Sequence, residues 1–278
     1  MSSDGLILVT GGTGSLGRRV VRRLRQAGRR VRVISRRAYE SKPGIEYVVG
    51  DLAGNVGVDA ACAGAEVVVH CAGVGKIRED VTQAHNLAGA AQRAGVSHIL
   101  NISVVGADRI PVKSAVDRAM FAYFASQLGV ERVIAESGLP WTNLRATQFH
   151  DGFVLVMVDA MSKLPLIVLP SGFRFQPIDA DEVADRLVEL SLGPPAGQVP
   201  DLAGPKIYAA DELLRGYLRA LGKRRVIIPM KVPGEAAKAI RAGANLAPDR
   251  AVGRRTWEDF LVAWASSPTR AVRPSFSG

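Results

Sequence analysis

Leu6-Ile7-Leu8-Val9-Thr10-Gly11-Gly12-Thr13-Gly14-Ser15-Leu16-Gly17 decides the fold. A short apolar run ends in spaced glycines, and an Arg/Val/Leu pattern of helical period follows at once. A strand that turns on glycine into a helix leaves unpaired backbone N–H groups at the positive end of the helix dipole. That is a seat for a pyrophosphate. A side chain there would hold the phosphate off the backbone or clash where helix meets strand. The spacing reads as Gly12-x-Gly14-x-x-Gly17 or as Gly11-x-x-Gly14-x-x-Gly17. A further strand-like run, Val31-Arg32-Val33-Ile34-Ser35, follows the helix, which is the context dinucleotide binding requires. Gly11, Gly12, Thr13, Gly14, Ser15, Leu16 and Gly17 are therefore the expected phosphate-binding residues.

Working outward, the residue that ends the second strand faces the adenosine ribose in such a fold, and an acid there would bind the 2′-hydroxyl of NAD. This chain has Ser35-Arg36-Arg37 instead. Two guanidiniums suit a 2′-phosphate, so NADP(H) is the expected cofactor. Ile45–Val49 reads as the third strand and closes on Gly50-Asp51-Leu52. Asp51 can accept from the adenine amino group or simply form the turn. Val67–His70 reads as a buried fourth strand, after which Cys71, Ala72 and Gly73 let backbone approach the cofactor. Cys71 reads as a packed small residue rather than a nucleophile. A helix is expected from about Val81 to Ala94, a fifth strand over His98–Ile102 and a sixth over Trp141–Arg145. Alternating strands and helices imply crossovers and a parallel sheet. The expected architecture is α/β, a Rossmann-type doubly wound parallel sheet with a small C-terminal α/β substrate lobe. Residues 1–150 form the NADP-binding core. Residues 151–278 form the pocket segments and lobe, with 175–192 returning to the core. The Pro/Gly-rich stretch Gly193–Gly204 reads as a hinge between them.

Composition bounds the rest. With 278 residues, 47% apolar and 22% charged, the chain is long enough for a large core and ordinary for a folded protein. No apolar run reaches the ~20 residues that span a bilayer, and no export signal is visible at the N-terminus. Cys62 and Cys71 form no metal-binding pattern, so a reduced cytoplasmic protein without metal is expected. The formal charge of +10 invites a nucleic-acid reading. However, Arg18, Arg22, Arg25 and Arg29 share helical spacing and read as a solvated helix face, and no base-reading motif accompanies them. The expected partner is a small molecule, with neither nucleic acid nor membrane, in a monomer or a homodimer.

Thr10–Gly17, Gly50-Asp51-Leu52, Cys71-Ala72-Gly73 and Ser103-Val104-Val105-Gly106 resemble an atypical short-chain dehydrogenase/reductase. Ser137–Thr142, Leu144–Phe149, Gln176–Ala184 and Thr256–Leu261 resemble its NmrA-like and triphenylmethane-reductase-like branch. The resemblance implies a Tyr-x-x-x-Lys pair working with the serine of the fifth strand. In that arrangement tyrosine gives a proton to the substrate oxygen, while lysine lowers the phenol pKa and holds the nicotinamide ribose. It assigns the serine to Ser103 and the tyrosine to Tyr123. Four residues on stands Gln127, which can hold ribose but supplies no charge. Lys113, in the segment before Tyr123, is the nearest substitute in sequence. The resemblance also sets Thr147, Gln148 and His150 at the nicotinamide and substrate mouth, with His150 as an alternative general acid. The implied activity is NADP(H)-dependent reduction of an apolar or aromatic, carbonyl- or quinone-like molecule. A redox-sensing regulator without chemistry, or an isomerase or cyclase on the same scaffold, are the other activities the branch hosts.

Overall fold

The first strand, β1 (Leu6–Thr10), is buried at every position in the computed structural model, which describes residues 5–267. The N-terminal Met1–Asp4 and the tail after Ser267 lie outside the described residues. Parallel strands covered on both faces are apolar throughout, and β1 is flanked by β2 (Arg30–Ser35) and β4 (Ala65–His70). With β3 (Ile45–Val49), β5 (His98–Val104), β6 (Trp141–Ala146) and β9 (Gly197–Gln198) they make a seven-stranded parallel sheet in the order β3-β2-β1-β4-β5-β6-β9. The order reverses between β1 and β4, and a crevice opens beyond the carboxyl ends of the strands at such a point.

Alternate residues of each strand feed two cores. Ile7, Val9, Val31, Val69 and Leu144 pack against α1 (Ser15–Gln26) and α6 (Ala180–Leu192). Leu8, Ile34, Val68 and Ile99 pack on the other side, against α2 (Val58–Cys62), α3 (Ile77–Arg93) and α4 (Ala115–Ala135). Leu16, Val20, Val21 and Leu24 form the buried stripe of α1, and its arginines point outward. Of the four arginines expected on a solvated face, Arg18 and Arg22 are exposed and Arg25 is half-buried, whereas Arg29 lies beyond the end of α1 and is 8% exposed. Arg19 pairs with Asp151 at 2.7 Å and Asp181 at 3.0 Å, and Arg22 and Arg23 reach Asp181 at 3.1 and 2.8 Å. Part of the basic face is thus neutralised by Asp181 of α6 and by Asp151, in the helical turn His150–Val154 ahead of α5.

The remaining elements build a lobe with its own core. These are α5 (Leu155–Ser162), β7 (Leu166–Pro170), β8 (Arg174–Phe175), β10 (Tyr208–Ala209), α7 (Ala210–Ala220), β11 (Val226–Met230), α8 (Glu235–Arg241) and α9 (Trp257–Ala265). Leu155, Ile167, Phe173, Leu214, Tyr217 and Trp257 are buried together there. The stretch Gly193–Gly204 is not a free hinge. β9 within it pairs with β6, the Val199 N–H donates to Asn143 at 3.1 Å and the Leu202 N–H donates to Arg145 at 2.8 Å. Pro and Gly suit it to a sheet edge.

α4 begins with a capping box. Ser114 accepts from the Asp117 N–H at 3.0 Å, and the Asp117 carboxylate accepts from the Ser114 N–H at 3.0 Å and the Lys113 N–H at 3.3 Å. The other oxygen of the same carboxylate accepts from the Ala236 N–H of α8 at 3.4 Å.

Candidate active site

The phosphate end is built from backbone. Gly14 is the N-cap of α1, no side chain caps it, and no acid stands in the first turn. Its own N–H is spent on Gly11 at 2.9 Å. The next N–H groups, of Ser15, Leu16 and Gly17, have no acceptor within the helix. Gly11 has φ +65°, and a Cβ there would lie 2.6 Å from the Cys71 carbonyl oxygen. A Cβ on Gly17 would lie 2.1 Å from the Gly11 oxygen, and one on Gly12 would lie 2.7 Å from Val33. These three glycines let strand, helix and the Cys71 loop close on one another. Gly14 differs, because its nearest neighbour would be the Gly11 oxygen at 3.2 Å, and the side away from the protein is open. That opening, over unpaired N–H groups, fits the pyrophosphate of an NAD(P) dinucleotide. Ser15 is exposed and donates to Asp151 at 3.1 Å; Arg19 bonds both, so the pair adds no net charge at the cradle.

At the adenosine end, Arg36 and Arg37 are exposed just beyond β2, and Ser35 accepts from the Arg37 N–H at 3.2 Å. Asp51 forms the turn, accepting from the Ala53 N–H at 3.1 Å. Leu52 is buried, and its carbonyl accepts from Asn86 of α3 at 2.8 Å.

The other end of the crevice is built from side chains. Ser103 and Asn101 share a face of β5, and Ser103 pairs in register with Arg145 of β6. Arg145 bonds Glu131 of α4 at 2.9 and 2.7 Å, so this face looks toward α4. Ser103 Oγ is buried without a hydrogen-bond partner among the described residues. One turn before Glu131 on α4 is Gln127, buried, and a Cβ on Gly73 would lie 3.7 Å from its Nε2. One turn further back is Tyr123. A Cβ on Gly75 would lie 3.5 Å from its ring, and the residue is 47% exposed at the rim. Desolvation of the phenol, and then the Asp80 carboxylate, push its pKa up to about 12. Gly73, Gly75, Tyr123 and Gln127 thus converge where the loop after β4 meets α4.

Asp80 organises that meeting and was not foreseen. It is 2% exposed and accepts from the Val74 N–H at 2.8 Å, the Gly75 N–H at 2.9 Å and the Ser126 hydroxyl. One carboxylate so ties the glycine loop and α4 to α3. The helical reading that began at Val81 stopped one residue short of it. The signal was an acid just after a glycine-rich turn, where a first helical turn favours negative charge. Behind the loop, Thr10 and His70 Nδ1 are 2.7 Å apart, and the Ala72 N–H donates to Thr10 at 3.3 Å. Burial lowers the His70 pKa to about 4 and pushes the Cys71 thiol up to about 12, so neither ionises near neutrality.

Thr147, Gln148 and His150 are not gathered with these residues. Thr147 is buried and accepts from the Gly204 N–H at 3.3 Å; Gln148 is buried between Asn245 and Gln176, each at 3.4 Å. His150 is 1% exposed, its ring 5.3 Å from Phe260 and 6.0 Å from Trp257. Burial lowers its pKa to about 4. A general acid needs a proton to give near neutrality and a path to the substrate. A neutral imidazole inside an aromatic stack has neither. Lys113 precedes the first turn of α4, and Tyr123 lies eight residues beyond Ala115, roughly 12 Å along the axis. Lys113 is exposed there, away from the phenol.

Residues 11–190 match a protein family described as NAD(P)H-binding. A ceramide reductase of Caulobacter vibrioides is 29% identical over 253 residues, covering 84% of this chain and 77% of that protein. Among solved structures, an NADPH-dependent quinone oxidoreductase of Escherichia coli complexed with NADPH superposes with a TM-score of 0.74. It is 17% identical over 92% of this chain and 99% of its own. The triphenylmethane reductase of a Citrobacter species reaches a TM-score of 0.72 at 23% identity, over 93% of this chain and 98% of its own. At those identities the two structures share the fold.

Proposed function

The chain belongs to the NAD(P)H-binding family, and from that premise we propose that it is an NADPH-dependent reductase of apolar or aromatic carbonyl- or quinone-like small molecules. One observation carries this reading. Ser103 Oγ is buried and unpartnered on the face that looks toward α4. A buried hydroxyl without a partner costs about 1–3 kcal/mol, and a substrate oxygen satisfies it. Ser103 then orients that oxygen, and Tyr123 donates to it from α4. A bound nicotinamide supplies hydride. With its pKa pushed up to about 12, Tyr123 is protonated at neutral pH and acts as donor, not as base. Its donation counts most as negative charge develops on the substrate oxygen. Gln127 holds ribose hydroxyls, Arg36 and Arg37 take the 2′-phosphate, and Asp80 keeps loop and helix in place around them. The reductase names of the relatives support the same class.

A second reading rests on a different observation. The charge acting on the Tyr123 phenol is the negative one of Asp80, with Gln127 where a lysine would lower its pKa. A cofactor-binding regulator needs no such lysine. The deciding assay follows NADPH oxidation against quinones, aldehydes, ketones and dyes, with product detection by mass spectrometry. For a reductase, Tyr123→Phe lowers kcat by about 100-fold and leaves NADPH affinity unchanged. NADPH binding without oxidation of any acceptor supports the regulator. Product formed without net NADPH consumption identifies an isomerase or cyclase. A Tyr123→Phe protein as fast as wild type removes the tyrosine from the mechanism.

A further inference from the structure

β7 and β11 form a two-stranded parallel ribbon on the lobe, with Leu166 beside Val226, Val168 beside Ile228 and Pro170 beside Met230. Ile167 and Leu169 face inward and are buried in the lobe core. Side chains alternate along a strand, so the other set turns away from that core. Leu166, Val168, Val226, Ile228 and Met230 are all at least 44% exposed, and Leu164 extends the patch at 50%. Contiguous exposed apolar surface of this kind marks an interaction site.

The chain segments that lead into and out of the ribbon are basic. The chain carries no Asp or Glu from 160 to 178, nor from 213 to 234. Lys223, Arg224 and Arg225 lead into β11 and Lys231 follows it. Lys163, ahead of β7, is paired with Asp159 at 2.7 Å. Where the ribbon begins, an open basin of about 490 Å³ is lined by Lys163, Pro165, Arg224, Arg225 and Val226. A second copy of this chain would bring the same cations together, which disfavours self-association through this face. An anionic lipid surface satisfies both halves: apolar side chains enter the boundary between headgroups and acyl chains, and cations meet the lipid phosphates.

We propose that the outer face of the β7–β11 ribbon docks this protein on the surface of an anionic lipid bilayer. The docking is peripheral. No described helix is long and apolar enough to cross a membrane, and the sequence expectation of no membrane partner rested on the lack of a spanning run. The proposal stands independently of the reductase reading.

The test is co-sedimentation of the full chain with vesicles of phosphatidylcholine alone, or of phosphatidylcholine mixed with one quarter phosphatidylserine. Binding is expected to the mixed vesicles only, and to fall as salt rises. Leu166→Ser combined with Ile228→Ser lowers it by about tenfold, and Arg224→Glu combined with Arg225→Glu lowers it at least as far, by roughly tenfold or more. Leu166, Ile228 and Arg224 are exposed and Arg225 is half-buried, so an unchanged melting temperature verifies the fold of each double variant. Failure to bind the mixed vesicles at low salt overturns the proposal. Binding that both substitution pairs leave intact overturns it too, because the arginines of α1 would then carry a nonspecific attraction. A lipid-free dimer seen by sedimentation velocity, and dissolved by Leu166→Ser with Ile228→Ser, also overturns it in favour of a second copy on this face.

Discussion

The two ends of the crevice are made of different material. At the phosphate end the chain itself does the holding: Gly11, Gly12 and Gly17 bring β1, α1 and the Cys71 loop within a distance no Cβ permits. At the other end, Ser103 comes from β5, Asp80 from α3, and Tyr123 and Gln127 from α4. A site made of backbone is intolerant of any added atom and indifferent to most outward side chains. A site made of side chains accepts most substitutions without a backbone clash, and each change removes the bonds of one residue, from the single contact of a rim side chain to the three of Asp80. The contrast predicts how mutations at the two ends differ in kind.

The largest effect is expected at the backbone end. Gly17→Val puts side-chain atoms where even a Cβ would be 2.1 Å from the Gly11 oxygen, so NADPH binding by calorimetry is abolished and the melting temperature falls. A folded Gly17→Val protein with wild-type affinity breaks the comparison outright. Asp80→Ala comes next. It strips the acceptor from the Val74 and Gly75 N–H groups and the Ser126 hydroxyl. At about 1–3 kcal/mol for each donor left unsatisfied, offset where water enters, urea unfolding should report a loss of about 3 kcal/mol. The phosphate cradle does not touch Asp80, so NADPH affinity should fall less than kcat.

Arg36→Ala with Arg37→Ala sharpens the comparison, because these side chains decorate the backbone end without building it. The preference for NADPH over NADH drops by about tenfold, while affinity for NADH stays put. Equal affinities already in the wild type would remove the 2′-phosphate assignment. The smallest change is expected from Gln127→Lys, a few-fold in rate by a rough estimate. Its sign is the informative part. A cation beside Tyr123 lowers a phenol pKa that stands at about 12. The protonated donor is therefore lost at lower pH, and the alkaline limb of the kcat profile moves down. An unmoved limb separates Gln127 from the phenol.

The same contrast explains what could be read from the sequence. The glycine cradle is local: twelve consecutive residues contain strand, turn and helix start, and physics at that range needs no partner from afar. Six of the seven strands of the sheet were legible for the same reason, through their apolar runs, whereas β9, a Gly and a Gln, carries no such run. The catalytic end was legible only as far as the family resemblance carried Ser103, Tyr123 and Gln127. Asp80 escaped because its importance lies in bonds to a loop and to another helix. His150 was misjudged because nothing near it in sequence announces Trp257 and Phe260, which enclose its ring. The ion pairs of Arg19, Arg22 and Arg23 were out of reach for the same reason, since the acids that answer them lie more than a hundred residues away. Gly193–Gly204 has the composition of a hinge, and only the pairing of β9 with β6 distinguishes an edge from one.

Asp117 gives the lobe a grip on the catalytic helix. Its carboxylate closes the first turn of α4 and also takes the Ala236 N–H of α8. The chain can come that close because Gly234, at φ +104°, carries no Cβ; one would lie 2.7 Å from the Asp117 oxygen. α4 is thus a rod held at one end by a joint it shares with the lobe, and Tyr123 and Gln127 ride on it. A ligand that draws the lobe inward loads that joint, and a lobe swinging outward must either release it or carry the rod along. α8 and the helix that carries Tyr123 and Gln127 are thus pinned to one carboxylate.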